Sequence, residues 1–413
     1  MKILISTAAY PPMINGVAVF SRNLAVGLAK RGHDVMVVCP SQNGKAHVRT
    51  VDGVKINYLK SMTVKIYPDQ IHSVPPKNKI GRLELPRLFY KHGISISPFP
   101  RKEIQRVIDA FRPDVVHVQV ADPIGVAVVA YARKCGVPVV TTEHNQPEVF
   151  TGSMHLPKPI AKAVNAVLNT YFVNRQSKSD FVTMPTERAI DNLILSRRKP
   201  FSVPVAAISN GVDLSEFHPG RADAMIYEKY HLDKNRKTFL SLGRLDPEKN
   251  VSAVIEAYLM AAEKMSDTQL IIVGDGVDRA RLIKKAARHP DIHFLGRVLP
   301  PELYLVYRLG DVFVTASEIE TQGIVLIEAA ATGMPLIAVD KGAVGEVCQN
   351  GKNGILCRPG DVSEMADAMV KIMSDDKLRA EYSRQSVKIA SEHDLEKTLD
   401  KFINIYKRVT KKL

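Results

Sequence analysis

Two successive α/β units, each a doubly wound parallel sheet, are the fold class the sequence predicts. Three observations predict it. Short β-branched runs alternate with helical segments along all 413 residues. The alternation restarts after a turn signal at Asn210-Gly211. Glycines fall where runs give way to helices, as in Asn15-Gly16 and at Gly243, Gly274 and Gly323. Strand–helix alternation of this kind buries a parallel sheet on both faces. In the first unit the spacing predicts strands at Ile3–Thr7, Val35–Val38, Val115–Val120, Val137–Thr142, Phe181–Met184 and Val205–Ile208. Helices are expected near 17–31, 122–135, 158–176 and 186–195. In the second unit strands are expected at Thr238–Leu242, Leu270–Val273, Ile292–Leu295, Val312–Thr315 and Leu336–Val339. Helices near 250–265, 277–288, 301–309 and 323–332 alternate with them, and helical periods follow at 361–373, 376–391 and 395–410. The expected domains are residues 1–208, 209–394 and a C-terminal helix, 395–413, that returns to the first domain. Segment 58–102 interrupts the rhythm, being long and rich in Pro, Lys, Arg and aromatic residues. It reads either as a dressing of a cleft or surface, or as a poorly ordered insertion.

Composition narrows the function classes. No run approaches the ~18–20 apolar residues of a membrane-spanning helix. Met1–Ala9 resembles a short leader, yet Tyr10-Pro11-Pro12 and an amphipathic helix follow at once, as after a first buried strand. Four scattered cysteines without a C-x-x-C suit reduced thiols in the cytoplasm better than a disulfide framework or structural zinc. The formal charge is +14, and it is unevenly placed. Residues 1–210 carry 28 Lys+Arg against 13 Asp+Glu, a net of +15, whereas residues 211–413 carry a net of −1.

Chemistry is expected on the strand-to-helix loops, at the carboxyl ends of the sheets. In Ser317–Pro335 a strand gives way to a loop bearing Glu320, then to a helix opened by Gly323 and carrying Glu328. Free N–H groups of Gly323, Ile324 and Val325 would suit phosphate or sugar oxygens, and both carboxylates can accept from hydroxyls. Read plainly, the same two are a helix-terminal charge and an exposed helical residue. In Gly243–Asn250, Gly243 permits close approach while Arg244 and Lys249 can converge on one anion and stabilise a departing diphosphate without metal. An isolated surface pair is the plainer reading. Gly274-Asp275-Gly276 is a tight turn or a ligand loop, and Arg297 and Val298 lie where a base could meet backbone. There is no P-loop, and no acidic residue at dinucleotide spacing.

These features, Asn15-Gly16-Val17, Asp114–Val118, Ser209–Asp213, Gly243-Arg244 with Lys249, Val273–Gly276, and Glu320 with Glu328 in Glu-Ala-Ala-Ala-Thr-Gly-Met-Pro, keep their order over essentially the whole chain. In that order the sequence resembles a retaining GT-B glycosyltransferase of family four. The resemblance implies two Rossmann-like domains facing across a cleft, and transfer of a hexose from a nucleotide-diphosphate sugar, UDP-glucose-like, with retention. It implies that Arg244 and Lys249 bind the diphosphate, Glu320 the transferred sugar and Glu328 the ribose. Gly16 would leave room for the donor phosphate; no cofactor and no metal are implied. One position departs from the family pattern: Gln119 stands where a second histidine often follows His117. By alternation Gln119 lies nearest the crevice. His117 reads as a satisfied core histidine or an orienting group, and His144 as a sugar-orienting residue or a loop residue with a local bond.

The resemblance assigns the basic unit to the acceptor. A basic, aromatic-flanked face suits an anionic membrane, and segment 58–102 and helix 158–178 are the expected contacts. The expectation is a cytoplasmic enzyme, peripheral at the inner face of the cell membrane. It would glycosylate a lipid such as diacylglycerol or a glycolipid, as diacylglycerol glucosyltransferases do. A soluble acceptor, such as a sugar phosphate, inositol derivative or oligosaccharide, is the alternative. No nucleic-acid partner is expected, for want of a basic-aromatic stacking module. A glycoside hydrolase would need two carboxylates facing across one bond at ~5–9.5 Å.

Overall fold

The computed structural model describes residues 1–13, 15–65, 93–120, 122–144, 159–160, 162–167, 170, 177–197 and 201–411. The chain divides into two compact units. Of the described residues, those up to Ser209 and from Glu396 onward form the first unit, and Asn210–Leu395 form the second.

The first unit is built on strands β1 (Lys2–Ser6), β2 (Asp34–Pro40), β3 (His47–Val51), β4 (Val54–Leu59), β7 (Val115–Val118), β8 (Val139–Thr142), β9 (Phe181–Met184) and β10 (Val205–Ala207), with a separate pair β5 (Met62–Lys65) and β6 (Gly93–Ile96). Their order is β10-β9-β8-β7-β1-β2-β4-β3. Ile3, Leu4 and Ile5 are fully buried because β1 is central and covered on both faces. Among the described residues of this eight-stranded sheet only β3 runs antiparallel, paired with β4 through Asp52-Gly53. The order reverses direction between β1 and β7, so the loops after those two strands, bearing Gly16 and Gln119, open at one switch point.

Expected and observed elements agree at the sheet centre and part at its edge. The β3–β4 hairpin and the helix Arg101–Phe111 lie where no element was expected. Segment 58–102 therefore contains strand ends, β5 and β6, and its basic residues from Tyr67 to Lys91 lie outside the described residues. So do Lys158, Tyr171, Phe172 and Arg175 of the expected helix 158–178; Lys162 is exposed on a helical stretch.

The second unit is a six-stranded, wholly parallel sheet, in the order β13-β12-β11-β14-β15-β16. Its strands are β11 (Lys237–Leu242), β12 (Thr268–Val273), β13 (Ile292–Gly296), β14 (Val312–Val314), β15 (Leu336–Val339) and β16 (Gly354–Cys357), the last not anticipated. Side chains alternate between two cores. Phe239, Leu270 and Val312 face the helices Val251–Ala262 and Val362–Ser374. Leu240, Ile271 and Phe313 face Tyr307 and the helix Ile324–Ala331. The reversal falls between β11 and β14, which places the loops Gly243–Asn250 and Thr315–Gly323 side by side.

The helix Leu395–Thr410 adds its apolar face to the first unit. Leu399, Phe402 and Tyr406 are fully buried. Phe402 lies 5.9 Å from Phe20 and 5.1 Å from His117, ring centre to ring centre. Arg31 is paired with both Glu396 and Asp400.

Candidate active site

Three strand ends are stitched together below the candidate donor loops. The Gly243 N–H donates to the Val273 carbonyl at 3.0 Å, and the Gly274 N–H to the Gly296 carbonyl at 2.8 Å. Gly274 has φ +138°, and a Cβ there would lie 1.8 Å from the Gly243 carbonyl oxygen. No other residue fits between the two loops. Leu245 N–H donates to Asp275, and Val277 N–H to Asp246 Oδ1 at 3.1 Å, so the second loop holds the first. Arg297 is exposed just beyond β13, while Val298 is buried.

The cations expected to bind an anion are already engaged. Arg244 pairs with both Asp246 and Glu248, whose side chains are largely covered. Lys249 closes a single 3-10 turn, Pro247–Lys249, and its Nζ meets Glu320 Oε1 at 2.5 Å and Ser317 Oγ at 3.4 Å. The sequence reading singled out the two cations and gave no role to Asp246 and Glu248. Arg244 thus faces two carboxylates and Lys249 one. Glu320 is held through its backbone carbonyl, which accepts from Ala343 N–H at 3.2 Å.

Gly323 takes φ +77° and opens the helix Ile324–Ala331 with no side-chain cap. The helix presents Ile324 and Val325, both partly accessible, at its first turn. Glu328, one turn on, is 8% exposed and is not the exposed helical residue of the plainer reading. The Tyr307 hydroxyl donates to its Oε2 at 2.5 Å. Burial pushes the Glu328 carboxyl up to about 7, against the lowering effect of the Tyr307 hydrogen bond. Tyr307 was missed because it reads as one more apolar residue of a helix, Glu302–Tyr307; a buried hydroxyl needing a partner was the available signal.

In the first unit, Gly16 is exposed at the start of the helix Gly16–Lys30, beside Asn15, whose side chain accepts from Ala18 N–H at 2.8 Å. His117, Gln119 and His144 form one enclosed network. His117 Nδ1 meets Tyr406 Oη at 2.6 Å and its Nε2 meets Thr142 Oγ1 at 2.7 Å. Gln119 bridges His117, at 3.2 Å, and His144 Nε2, at 2.8 Å. Alternation places Gln119 at the open end of its strand, but its side chain is fully buried, turned inward to these partners. His144 is 9% exposed and tilted on Phe20 at 5.0 Å, not a freely exposed loop histidine. Burial pulls both histidines down to about 3, and for His117 the neighbouring His144 adds to it.

Two Rossmann-like units in succession define the GT-B class of glycosyltransferase. Residues 225–388 match the family described as Glycosyl transferases group 1, and residues 14–216 match Glycosyltransferase Family 4. The chain belongs to glycosyltransferase family 4. It is 30% identical over 361 residues to the GDP-mannose-dependent alpha-mannosyltransferase of Mycolicibacterium smegmatis, covering 86% of this chain and 84% of that one. It is 26% identical to the alpha-monoglucosyldiacylglycerol synthase of Acholeplasma laidlawii, over 86% of this chain and 84% of that one. In fold it is similar to sucrose-phosphate synthase from Thermosynechococcus elongatus, with a TM-score of 0.76, 18% identity and complete coverage of both chains. Anabaena HepE, solved in complex with UDP and glucose, matches with a TM-score of 0.70 and 16% identity over 99% of this chain and 100% of that one. Among the described residues no helix is long and apolar enough to cross a membrane.

Proposed function

We propose that this glycosyltransferase moves a hexose, with retention, from a nucleotide-diphosphate sugar, UDP-glucose-like, to a membrane-lipid acceptor such as diacylglycerol or a glycolipid. The observation that carries the transfer chemistry is the meeting of Lys249 and Glu320 at the β11/β14 switch point, with Arg244 on the same loop as Lys249 and an uncapped helix start following the Glu320 loop. Lys249 spends one strong N–H on Glu320 and keeps donor capacity for a phosphate oxygen. Arg244 and Lys249 bind the diphosphate and offset the charge that grows on it as the glycosidic bond breaks. The N–H groups of Gly323, Ile324 and Val325 receive phosphate or sugar oxygens. Glu320 accepts from hydroxyls of the transferred sugar, and Glu328 from the ribose. Gly243, Gly274, Arg297 and Val298 border the base, and Gly16 leaves space for the donor phosphate. The acceptor oxygen attacks on the face the diphosphate leaves, and a diphosphate oxygen takes the acceptor proton. No metal is required, and no titrating base at Gln119. His117, Gln119 and His144 orient acceptor or sugar through His144.

The lipid acceptor rests on the +15 net charge of residues 1–210 and on the relatives named alpha-monoglucosyldiacylglycerol synthase. The enzyme then works at the inner face of the cell membrane as a peripheral protein. The 30% identity to a GDP-mannose-dependent mannosyltransferase favours a second reading, mannosyl transfer, for which a soluble acceptor is to be tested as well. The experiment is a donor panel of UDP-glucose, UDP-galactose, UDP-N-acetylglucosamine and GDP-mannose, with and without anionic vesicles containing diacylglycerol. NMR of the product's anomeric centre completes it. A glycolipid of retained configuration is expected from UDP-glucose. An inverted product would overturn the mechanism, and turnover only on soluble acceptors would overturn the lipid assignment.

A further inference from the structure

Glu328 is asymmetric in a way its proposed task does not explain. One oxygen, Oε2, accepts from the Tyr307 hydroxyl at 2.5 Å. The other has no hydrogen-bond partner among the described residues, yet it is not one of the fully enclosed orphan atoms. The carboxylate thus has a covered, bonded oxygen and an accessible, unbonded one. Tyr307 is itself fixed. It is fully buried, with its ring 5.4 Å from Phe217 and 6.5 Å from Phe313. Tyr307 is the last residue of the helix Glu302–Tyr307, while Glu328 sits on the following helix, Ile324–Ala331, with β14 between them in the chain. The bond therefore ties two elements at the one point where a carboxylate must not rotate.

We propose that Tyr307 is a positioning residue for donor recognition. It clamps Oε2 of Glu328 so that Oε1 is presented, in one orientation, to the vicinal hydroxyls of a nucleotide ribose. The proposal rests on the reading of Glu328 as the ribose-binding residue and adds what sets its geometry. Tyr307 touches no substrate. Its second effect is electrostatic, since the hydroxyl favours the ionised carboxylate and opposes the effect of burial. The ionised form accepts more strongly from the ribose hydroxyls than the neutral carboxyl does, so ribose recognition weakens as pH falls through the Glu328 titration. Without the Tyr307 hydroxyl that weakening begins at higher pH.

The test is calorimetric binding of UDP and 2′,3′-dideoxy-UDP, with GDP and its dideoxy analogue in parallel, to the full chain and to Tyr307→Phe and Glu328→Gln. Whichever ribonucleotide binds the unsubstituted protein is used. Loss of one charge-assisted hydrogen bond predicts about a tenfold weaker ribonucleotide affinity in Tyr307→Phe, with dideoxy affinity unchanged within about twofold. The pH at which ribose discrimination is half lost moves upward. Equal weakening of both nucleotides in Tyr307→Phe, or no weakening of either, sinks the clamp even while Glu328→Gln abolishes discrimination. Discrimination that survives Glu328→Gln overturns the ribose role of Glu328, and the clamp with it. If Tyr307→Phe fails to fold, the unsubstituted protein still decides. Absence of ribose discrimination by the unsubstituted protein at pH 8, where the Glu328 carboxylate is ionised, contradicts a clamped, ribose-binding Glu328.

Discussion

Lys249 and Glu320 come from loops after different strands and meet only because β11 and β14 are neighbours. The sequence marks both as candidates but hides their pairing, which depends on strand order. Replacing Lys249 by Ala removes a fixed cation beside the departing group and leaves Glu320 without its ion partner. Turnover is expected to fall about 10²–10³-fold, measured as initial rates with the donor found in the panel; a variant at full rate would remove Lys249 from the site. The histidines carry a separate consequence. In the unfolded chain they titrate near ~6.5, whereas in the native state they resist protonation to about 3. The native form binds fewer protons, so their stabilisation is complete above ~6.5 and is lost as pH falls toward 3. Each contributes a slope of about 1.4 kcal/mol per pH unit in that window. Denaturation midpoints from pH 7 to 4 should decline less steeply in His144→Gln, and an unchanged slope would refute the buried neutral state.

Elements were legible where both faces of the sheet are covered and obscure where one face meets water. β2, β14 and β15 carry the continuous apolar runs Val35–Cys39, Val312–Val314 and Leu336–Val339, as parallel strands buried on both faces do. The edge hairpin β3–β4 alternates polar and apolar residues, with β3 almost wholly exposed, so it lacks that signature. Its Asp52-Gly53 turn was the available cue. The helix Arg101–Phe111 buries only Ile104, Ile108 and Phe111, a narrow stripe within an otherwise charged segment. Glycine positions test the loops directly. Gly274→Ala must push its Cβ into the Gly243 carbonyl, and a loss of about 3 kcal/mol or more is expected. Gly243→Ala meets nothing within 4 Å and pays mainly for its φ of +154°, about 1 kcal/mol. Chemical denaturation of the two variants checks the order, and equal losses would refute the close approach of the loops.

For the whole chain, the last helix belongs to the first unit although it follows the second in sequence. Removing residues 396–413 strips Leu399, Phe402 and Tyr406 from that core and leaves His117 without its Tyr406 partner. Calorimetry should show the first unit's transition lost or lowered by more than ~10 °C while the second is retained, given that two buried aromatics and a buried leucine, at about 2–5 kcal/mol each, are lost. A single unchanged transition would contradict the division. The charge asymmetry predicts co-sedimentation with anionic vesicles that weakens with salt, at up to ~1 kcal/mol per basic residue near the surface. Absence of binding at low salt would end the membrane assignment.

Periodicity and turn chemistry, which are local, determined by themselves that this chain forms two parallel α/β units and which loops carry Arg244, Lys249, Glu320 and Glu328. Charge counted along the chain likewise showed which half is basic. Only the tertiary structure decided that Arg244 and Lys249 are compensated by carboxylates, that Gln119 turns inward to two neutral histidines, and that Tyr307 grips one oxygen of Glu328. Those facts depend on distance and burial between residues far apart in sequence. The free energy of a buried charge or hydroxyl is set by its neighbours, which no local pattern encodes.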